Sequence, residues 1–341
     1  MIDCTRGNHS LRIGEAMPEN PKLFINNLPV EICTSVRNGL PFVATAYMEL
    51  ILKGILASAQ TMYPVTICHL VIMANHLHLL LIVQNPNDVP RFMNYFKTES
   101  AIALNKLLGT SGQSFWCKGY DSPTILSAEK FLERMLYLYL NPAEAALVPE
   151  MALYPGVNTY KALLTGDVKE TYKKISREVF SELPKGELSQ SFQAELAESY
   201  LDGRGVVNEL EVRPWAWLKC FSESKNWRVE DVRERFLRTL RSEQERLVCQ
   251  TKSFIGPEKL KNRDIRTPYH SSRSGKKMIC LSDCPAQVEK MVTKFKELSM
   301  LARKSYQLRK AGYSFATPPP GFFLPGGMLL ANIVLPSLFL T

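Results

Sequence analysis

The sequence predicts an α+β fold: an antiparallel sheet covered by helices, followed by a mostly helical C-terminal extension. Three observations predict it. Two apolar runs, Val65 to Met73 and Leu79 to Val83, sit on either side of the short Ala74-Asn75 turn and read as a buried hairpin. Helical segments with few internal breakers alternate with these strands as far as about residue 160. Beyond that point the composition changes, and the charge with it.

The elements follow in order. Residues 1–20 read as a leader. Val30 to Val36 is the first strand, and Asn38-Gly39 with Pro41 marks the turn after it. Phe42 to Met62 is rich in Ala, Met, Leu and Glu and lacks proline, so a helix is expected. The hairpin comes next, and Asn85-Pro86-Asn87-Asp88 ends it. Pro90 suits the first turn of a helix that runs to about Leu108 and stops at Gly109. After a polar loop, Thr124 to Leu126 is a short strand. Ser127 caps a helix from Ala128 to about Leu140, which Asn141-Pro142 closes or bends. Residues 21–160 thus form one α+β domain. The expected remainder is a helical extension over 161–250, a basic linker over 251–285, a helix over 286–316 and an apolar tail over 317–341.

Charge and composition narrow the function classes. The chain has 341 residues, 45% hydrophobic and 22% charged, with a net charge of +9. Residues 1–160 hold 11 Lys and Arg against 12 Asp and Glu, so the rest of the chain carries +10. A basic extension beside a near-neutral domain points to a polyanion partner, nucleic acid above all. The eight cysteines are scattered and include no Cys-x-x-Cys pair, which argues against a disulfide framework or a zinc knuckle. Met1 to Asn20 has no apolar core, so a cytoplasmic location is expected. The uncharged stretch from Gly321 to Thr341 is long enough to span a bilayer. Pro325, Gly326-Gly327 and Pro336 interrupt it, which argues against a membrane helix.

The chemistry centres on His76-Leu77-His78. On a strand, residues i and i+2 share a face, so the two imidazoles stand side by side while Leu77 points into the core. Two neutral imidazoles and one further ligand suit a divalent metal with open positions. The helix 128–140 offers Tyr137 and, one turn on, Asn141, on one helical face. The amide oxygen of Asn141 can ligate Mg²⁺ or Mn²⁺. The phenol of Tyr137 can attack a phosphodiester once deprotonated. A simpler reading makes Tyr137 and Tyr139 core aromatics and Asn141 a helix cap. Aromatic and basic residues interleave on the helix starting at Pro90, which makes Arg91 and Lys97 candidate DNA contacts.

Three segments resemble the REP-associated tyrosine transposases, within the IS200-like single-tyrosine HUH transposases. His76-Leu77-His78, within Met73-Ala74-Asn75-His76-Leu77-His78-Leu79-Leu80, resembles the HUH motif. Gly112-Gln113-Ser114-Phe115-Trp116-Cys117-Lys118-Gly119-Tyr120 is similar to the family's Gly/Phe/Trp-containing segment. Tyr137-Leu138-Tyr139-Leu140-Asn141-Pro142, continuing through Ala143-Glu144-Ala145-Ala146-Leu147-Val148, resembles its tyrosine segment. The resemblance covers roughly residues 25–160. It implies a ferredoxin-like HUH endonuclease fold with His76, His78 and Asn141 as metal ligands and Tyr137 as nucleophile. It also implies a Mg²⁺ or Mn²⁺ cofactor and a single-stranded DNA partner with palindromic hairpins. The family cuts and rejoins that DNA through a 5′-phosphotyrosine, and its members work as monomers or homodimers. Ala74 replaces the family's proline, and Lys118-Gly119 stands where arginine is common, so Lys118 is the candidate phosphate contact. Tyr120 is a further candidate DNA contact, and with Tyr139 a fallback nucleophile. Two rival functions remain at this level: a domesticated hairpin-binding protein with little catalysis, and a metal-dependent phosphoesterase using water.

Overall fold

A computed structural model describes residues 22–37, 46–73, 75–107, 114–177, 205–262 and 278–322. The leader, Ala74, Gly112-Gln113, residues 263–277 of the basic linker and the tail beyond Phe322 lie outside the described residues. The domain core is β1 (Pro29–Ser35), α1 (Ala46–Met62), β2 (Thr66–Ile72), β3 (His76–Ile82), α2 (Asp88–Leu107) and β4 (Thr124–Ile125). β2 and β3 form the expected antiparallel hairpin. β1 pairs antiparallel with β3, and β4 with β1. The resulting order, β2-β3-β1-β4, is the ferredoxin-like arrangement of two interleaved strand-helix-strand units.

Strand alternation separates the two faces of this sheet. Leu77, Leu79 and Leu81 join the core beneath α1 and α2, with Phe92, Phe96, Leu52 and Leu56. Leu80 and Ile82, and with them His78, face the opposite side. There the sheet is covered by α3 (Ala128–Glu144), through Phe131, Met135, Leu138 and Tyr139. The side chain of Ser127 accepts a hydrogen bond from the Lys130 backbone N–H, the N-cap the sequence predicts. The helix runs through Pro142 and stops at Glu144, one turn beyond the expected end. A proline in the last turn forfeits one backbone hydrogen bond, and the buried face from Leu138 to Ala143 outweighs that loss.

The C-terminal region supplies helices and additional strands. α4 (Tyr160–Thr165) precedes β5 (Val168–Ile175) and β6 (Gly205–Val212), an antiparallel pair. β6 joins β2 in parallel at Ile67↔Val212, so the pair lengthens the sheet beside the hairpin. The sequence reading expected helix here. Lys and Glu fill β5 and mask its period of two, and the pairing with β6 overrides their helical preference. α5 (Val229–Gln250) is the charged helix expected from about Trp227, yet it is not simply solvated. Its apolar stripe of Val232, Phe236 and Leu240 lies in the α3 core. Trp217 is fully buried and stacks on Phe131, with ring centres 4.5 Å apart. α6 (Pro257–Lys261) follows. β7 (Cys280–Leu281) pairs in parallel with β4 at the far edge, and α7 (Pro285–Lys310) leads away from it. Phe322 is buried against Leu23 and Met291. No helix among the described residues is long and apolar enough to cross a membrane.

The α3 core contains one polar cluster, and a bulge in β2 creates it. The register between β2 and β3 shifts between Ile67 and His69, which turns both Cys68 and His69 toward α3. His69 is fully buried, and its Nδ1 lies 2.8 Å from the Tyr139 hydroxyl. That hydroxyl is 3.1 Å from Thr159 Oγ1, which also accepts the Leu70 N–H. Burial pushes His69 down to about 3, so it stays neutral in the fold. An unfolded His69 binds its proton near pH 6.5, and the folded one does not until about pH 3. Stability should therefore fall as pH drops through that window, by at most about 1.4 kcal/mol per pH unit from this group. Urea midpoints for His69→Gln should show a shallower loss between pH 6 and pH 4; an unchanged slope would contradict this. Tyr139→Phe should cost about 1–3 kcal/mol, since it leaves His69 Nδ1 without its partner. Tyr137→Phe, on the half-exposed side of the helix, should stay within about 0.5 kcal/mol of the native protein.

Candidate active site

The site lies where β1, β3 and α3 meet. The β1–β3 register sets Cys33 opposite His78 and Ser35 opposite His76. The two imidazoles stand together as the strand geometry requires, with ring centres 4.9 Å apart. Arg134, Tyr137 and Asn141 are spaced i, i+3 and i+7 on α3, so they form one line along the helix. That line faces the histidines. The Tyr137 ring centre is 5.4 Å from that of His78, and the Asn141 side chain lies beside that of His76. The Asn141 carboxamide N–H donates to the Tyr137 carbonyl at 3.3 Å, which leaves its oxygen for a ligand. Four residues predicted from two separate motifs are thus brought into one place.

Each histidine is held from behind. His76 Nδ1 lies 2.8 Å from Asn75 Oδ1, and His78 Nδ1 lies 3.2 Å from Glu31 Oε1. Both oxygens only accept, so each Nδ1 donates, and each Nε2 is the nitrogen left for a ligand. Burial, and then the neighbouring His78, push His76 down to about 4, so it is neutral. Burial opposes charge on His78 as well. Hydrogen bonds to Cys33 and Glu31 more than offset it and push His78 up to about 9. A bound cation would take the place of the His78 proton. Two imidazole nitrogens and one amide oxygen fit a divalent cation that accepts mixed nitrogen and oxygen donors. Among the described residues no group of three or more His, Cys, Asp or Glu could hold a metal. The donor set here depends on the amide of Asn141.

Glu31 and Arg134 are the site residues that the sequence reading missed. Glu31 is only 4% exposed. Burial raises its pKa, but hydrogen bonds to His78 and Arg134 outweigh that and hold it below the usual carboxylate range. Arg134 reaches it through two parallel bonds, Nε to Oε2 at 2.7 Å and Nη2 to Oε1 at 2.7 Å. The guanidinium carbon lies 4.3 Å from the Tyr137 ring centre. The available signals were an acidic residue inside an otherwise apolar strand and an arginine one turn before Tyr137.

The other candidates occupy different places. Tyr139 is sealed in the α3 core by His69 and Thr159, out of reach of a DNA strand. Tyr120 packs against the α1/α2 core with its hydroxyl buried and without a partner, and Lys22 lies 3.9 Å over its ring. Phe115 and Trp116 are buried in that same core, and Trp116 Nε1 donates to Ser100 Oγ at 3.0 Å. Lys97 donates to the carbonyls of Cys117 and Gly119 at 2.9 and 2.5 Å, which ties the loop to α2. Gly119 takes a left-handed φ of 75° there, which suits glycine. Lys118 is exposed at the tip of this loop. Arg91 is half-buried in the first turn of α2, near Asp88. Both Arg91 and Lys97 belong to a helix on the sheet face opposite the histidines.

Residues 31–135 match the family model described as "Transposase IS200 like". No curated protein matches the chain. Among solved structures, a REP-associated tyrosine transposase bound to a REP hairpin aligns with 16% identity and a TM-score of 0.38. That alignment covers 44% of this chain and 86% of the other. A transposase from Deinococcus radiodurans R1 aligns with 21% identity and a TM-score of 0.26, over 32% of this chain and 87% of the other. The matched family span begins at Glu31, takes in both site histidines and Arg134, and ends two residues before Tyr137. The family likeness of this chain is thus to an IS200-like transposase domain over residues 31–135.

Proposed function

We propose that the chain cuts and rejoins single-stranded DNA beside a hairpin. Tyr137 is the nucleophile, and His76, His78 and Asn141 hold Mg²⁺ or Mn²⁺. The observation that carries this reading is the placement of Tyr137. Its ring is 5.4 Å from His78, and its hydroxyl has no hydrogen-bond partner among the described residues. A domesticated binder need not keep a tyrosine against an intact histidine pair. The hairpin substrate rests on the likeness of the three motifs to REP-associated transposases, and the +10 charge of residues 161–341 suits a nucleic-acid partner.

In this mechanism the Tyr137 oxygen gives up its proton and attacks a phosphorus of the DNA backbone. A new P–O(tyrosine) bond forms as the P–O3′ bond breaks. The 3′ oxygen leaves and takes a proton, which yields a 3′-hydroxyl and a 5′-phosphotyrosine. Attack of a 3′-hydroxyl on that linkage reverses the step and restores a phosphodiester without external energy. The divalent cation, when bound, supplies positive charge that polarises a non-bridging phosphate oxygen. His76 and His78, locked through their Nδ1 atoms, present Nε2 without needing to reorient. Arg134 stacks on the Tyr137 ring and limits its rotamers.

The test is incubation with a panel of hairpin-bearing single-stranded DNAs and Mn²⁺. The native protein should form a DNA–protein adduct that survives denaturation, and chelation with EDTA should abolish it. Tyr137→Phe should lower adduct and cleavage by roughly a thousandfold or more. Cleavage that persists undiminished in Tyr137→Phe, without an adduct, would replace this reading by a phosphoesterase that uses water. Tight hairpin binding with no cleavage across the panel would replace it by the domesticated binder.

A further inference from the structure

Glu31 sits at the centre of a closed ring of four side chains from three elements. Its Oε1 accepts from His78 Nδ1 on β3, and both of its oxygens accept from Arg134 on α3. Arg134 lies over Tyr137, and Tyr137 lies edge-on to His78, which closes the ring. Glu31 and Arg134 are 103 residues apart in sequence. Their paired bonds therefore fix how α3 is turned and slid along the sheet, in a way no local interaction does. A guanidinium fork on a carboxylate has a defined plane, so it constrains rotation as well as distance.

We propose that Glu31 and Arg134 are positioning residues that link the metal ligands to the nucleophile, an inference that rests on the reading of His76, His78 and Tyr137 given above. Glu31 does two things with one carboxylate. Through His78 Nδ1 it fixes the ring orientation and the tautomer that exposes Nε2, and it strengthens that nitrogen as a ligand. Through Arg134 it holds a planar cation against one face of Tyr137, so the phenol cannot swing away from the histidines. A plain structural staple between α3 and β1 would need neither the bond to His78 nor the stacking on Tyr137. The arrangement thus assigns the two residues separable effects. Glu31 acts on both cation affinity and nucleophile placement, and Arg134 acts on nucleophile placement alone.

The test measures two quantities on the full chain: Mn²⁺ affinity, by the electron paramagnetic resonance signal of free Mn²⁺, and the rate of adduct formation at saturating Mn²⁺. Glu31→Gln should weaken Mn²⁺ binding by roughly 10- to 100-fold and should also slow the adduct at saturating metal. Arg134→Lys keeps the positive charge but loses the fork. It should bind Mn²⁺ within about threefold of the native protein, and slow the adduct by roughly tenfold or more. The Glu31→Gln/Arg134→Gln pair removes both charges, so it leaves no buried unpaired ion. It should slow the adduct no further than Glu31→Gln alone. Thermal unfolding confirms that each variant is folded, and the double variant stands in if Glu31→Gln is not. Native Mn²⁺ affinity in both variants that carry Gln at position 31 would overturn the role at His78. A native adduct rate in Arg134→Lys, or additive losses in the pair, would overturn the role at Tyr137. If the native protein binds Mn²⁺ but forms no adduct on any hairpin, the nucleophile reading fails, while the affinity comparison still decides the link between Glu31 and His78.

Discussion

A carboxylate buried in the first strand of a sheet is costly unless its charge is answered, and here one arginine and one histidine answer it. That requirement shapes the site. Glu31 can remain ionised at 4% exposure only if Arg134 reaches it, and Arg134 reaches it only if α3 crosses the sheet at one rotation. At that rotation Tyr137 and Asn141, three and seven residues further along the helix, arrive at the histidines. The apolar contacts of α3 supply most of the burial, but they are tolerant of a small slide. The two-pronged bond to Glu31 is not.

The rest of the molecule keeps α3 in place. The helix is enclosed between the sheet and α5, with Phe131 stacked on Trp217 and Phe236 close to the Tyr139 ring. This enclosure explains why two neighbouring tyrosines have such different surroundings. Tyr139 points into the enclosed core and bonds to His69, whereas Tyr137 lies on the edge of the helix at the open end of the strands. The β2 bulge contributes as well, since it turns His69 toward Tyr139 and gives the buried hydroxyl a partner. The matched span of residues 31–135 contains β2, β3, β4, most of β1 and the two helices behind them, while α5, which braces α3 from outside, comes from beyond it.

Much of the site was legible in the sequence because its parts are local. The pair at positions 76 and 78 needs only the two-residue period of a strand, and the pair at 137 and 141 needs only one helical turn. The ferredoxin-like strand order follows from the sequence of elements with short connections. What was not legible depends on distance in the chain or on partners. Glu31 and Arg134 find each other only after β1 and α3 have packed, and nothing in the neighbourhood of either residue announces the other. β5 has the composition of a helix and is a strand because β6 lies beside it. The helix continued through Pro142 because packing on its buried face outweighed one missing hydrogen bond. Tyr120 was a candidate DNA contact and fallback nucleophile, yet its ring packs against the α1/α2 core and Lys22 lies over it.

The central claim is that, among the described residues, the fold presents one tyrosine, Tyr137, to the histidine pair. It is tested most directly by trapping the DNA-linked protein, digesting it and identifying the modified peptide by mass spectrometry. The account predicts a nucleotide on Tyr137, with Tyr139 and Tyr120 unmodified. A nucleotide on Tyr139 or Tyr120, or on no tyrosine although the DNA has been cut, would contradict it.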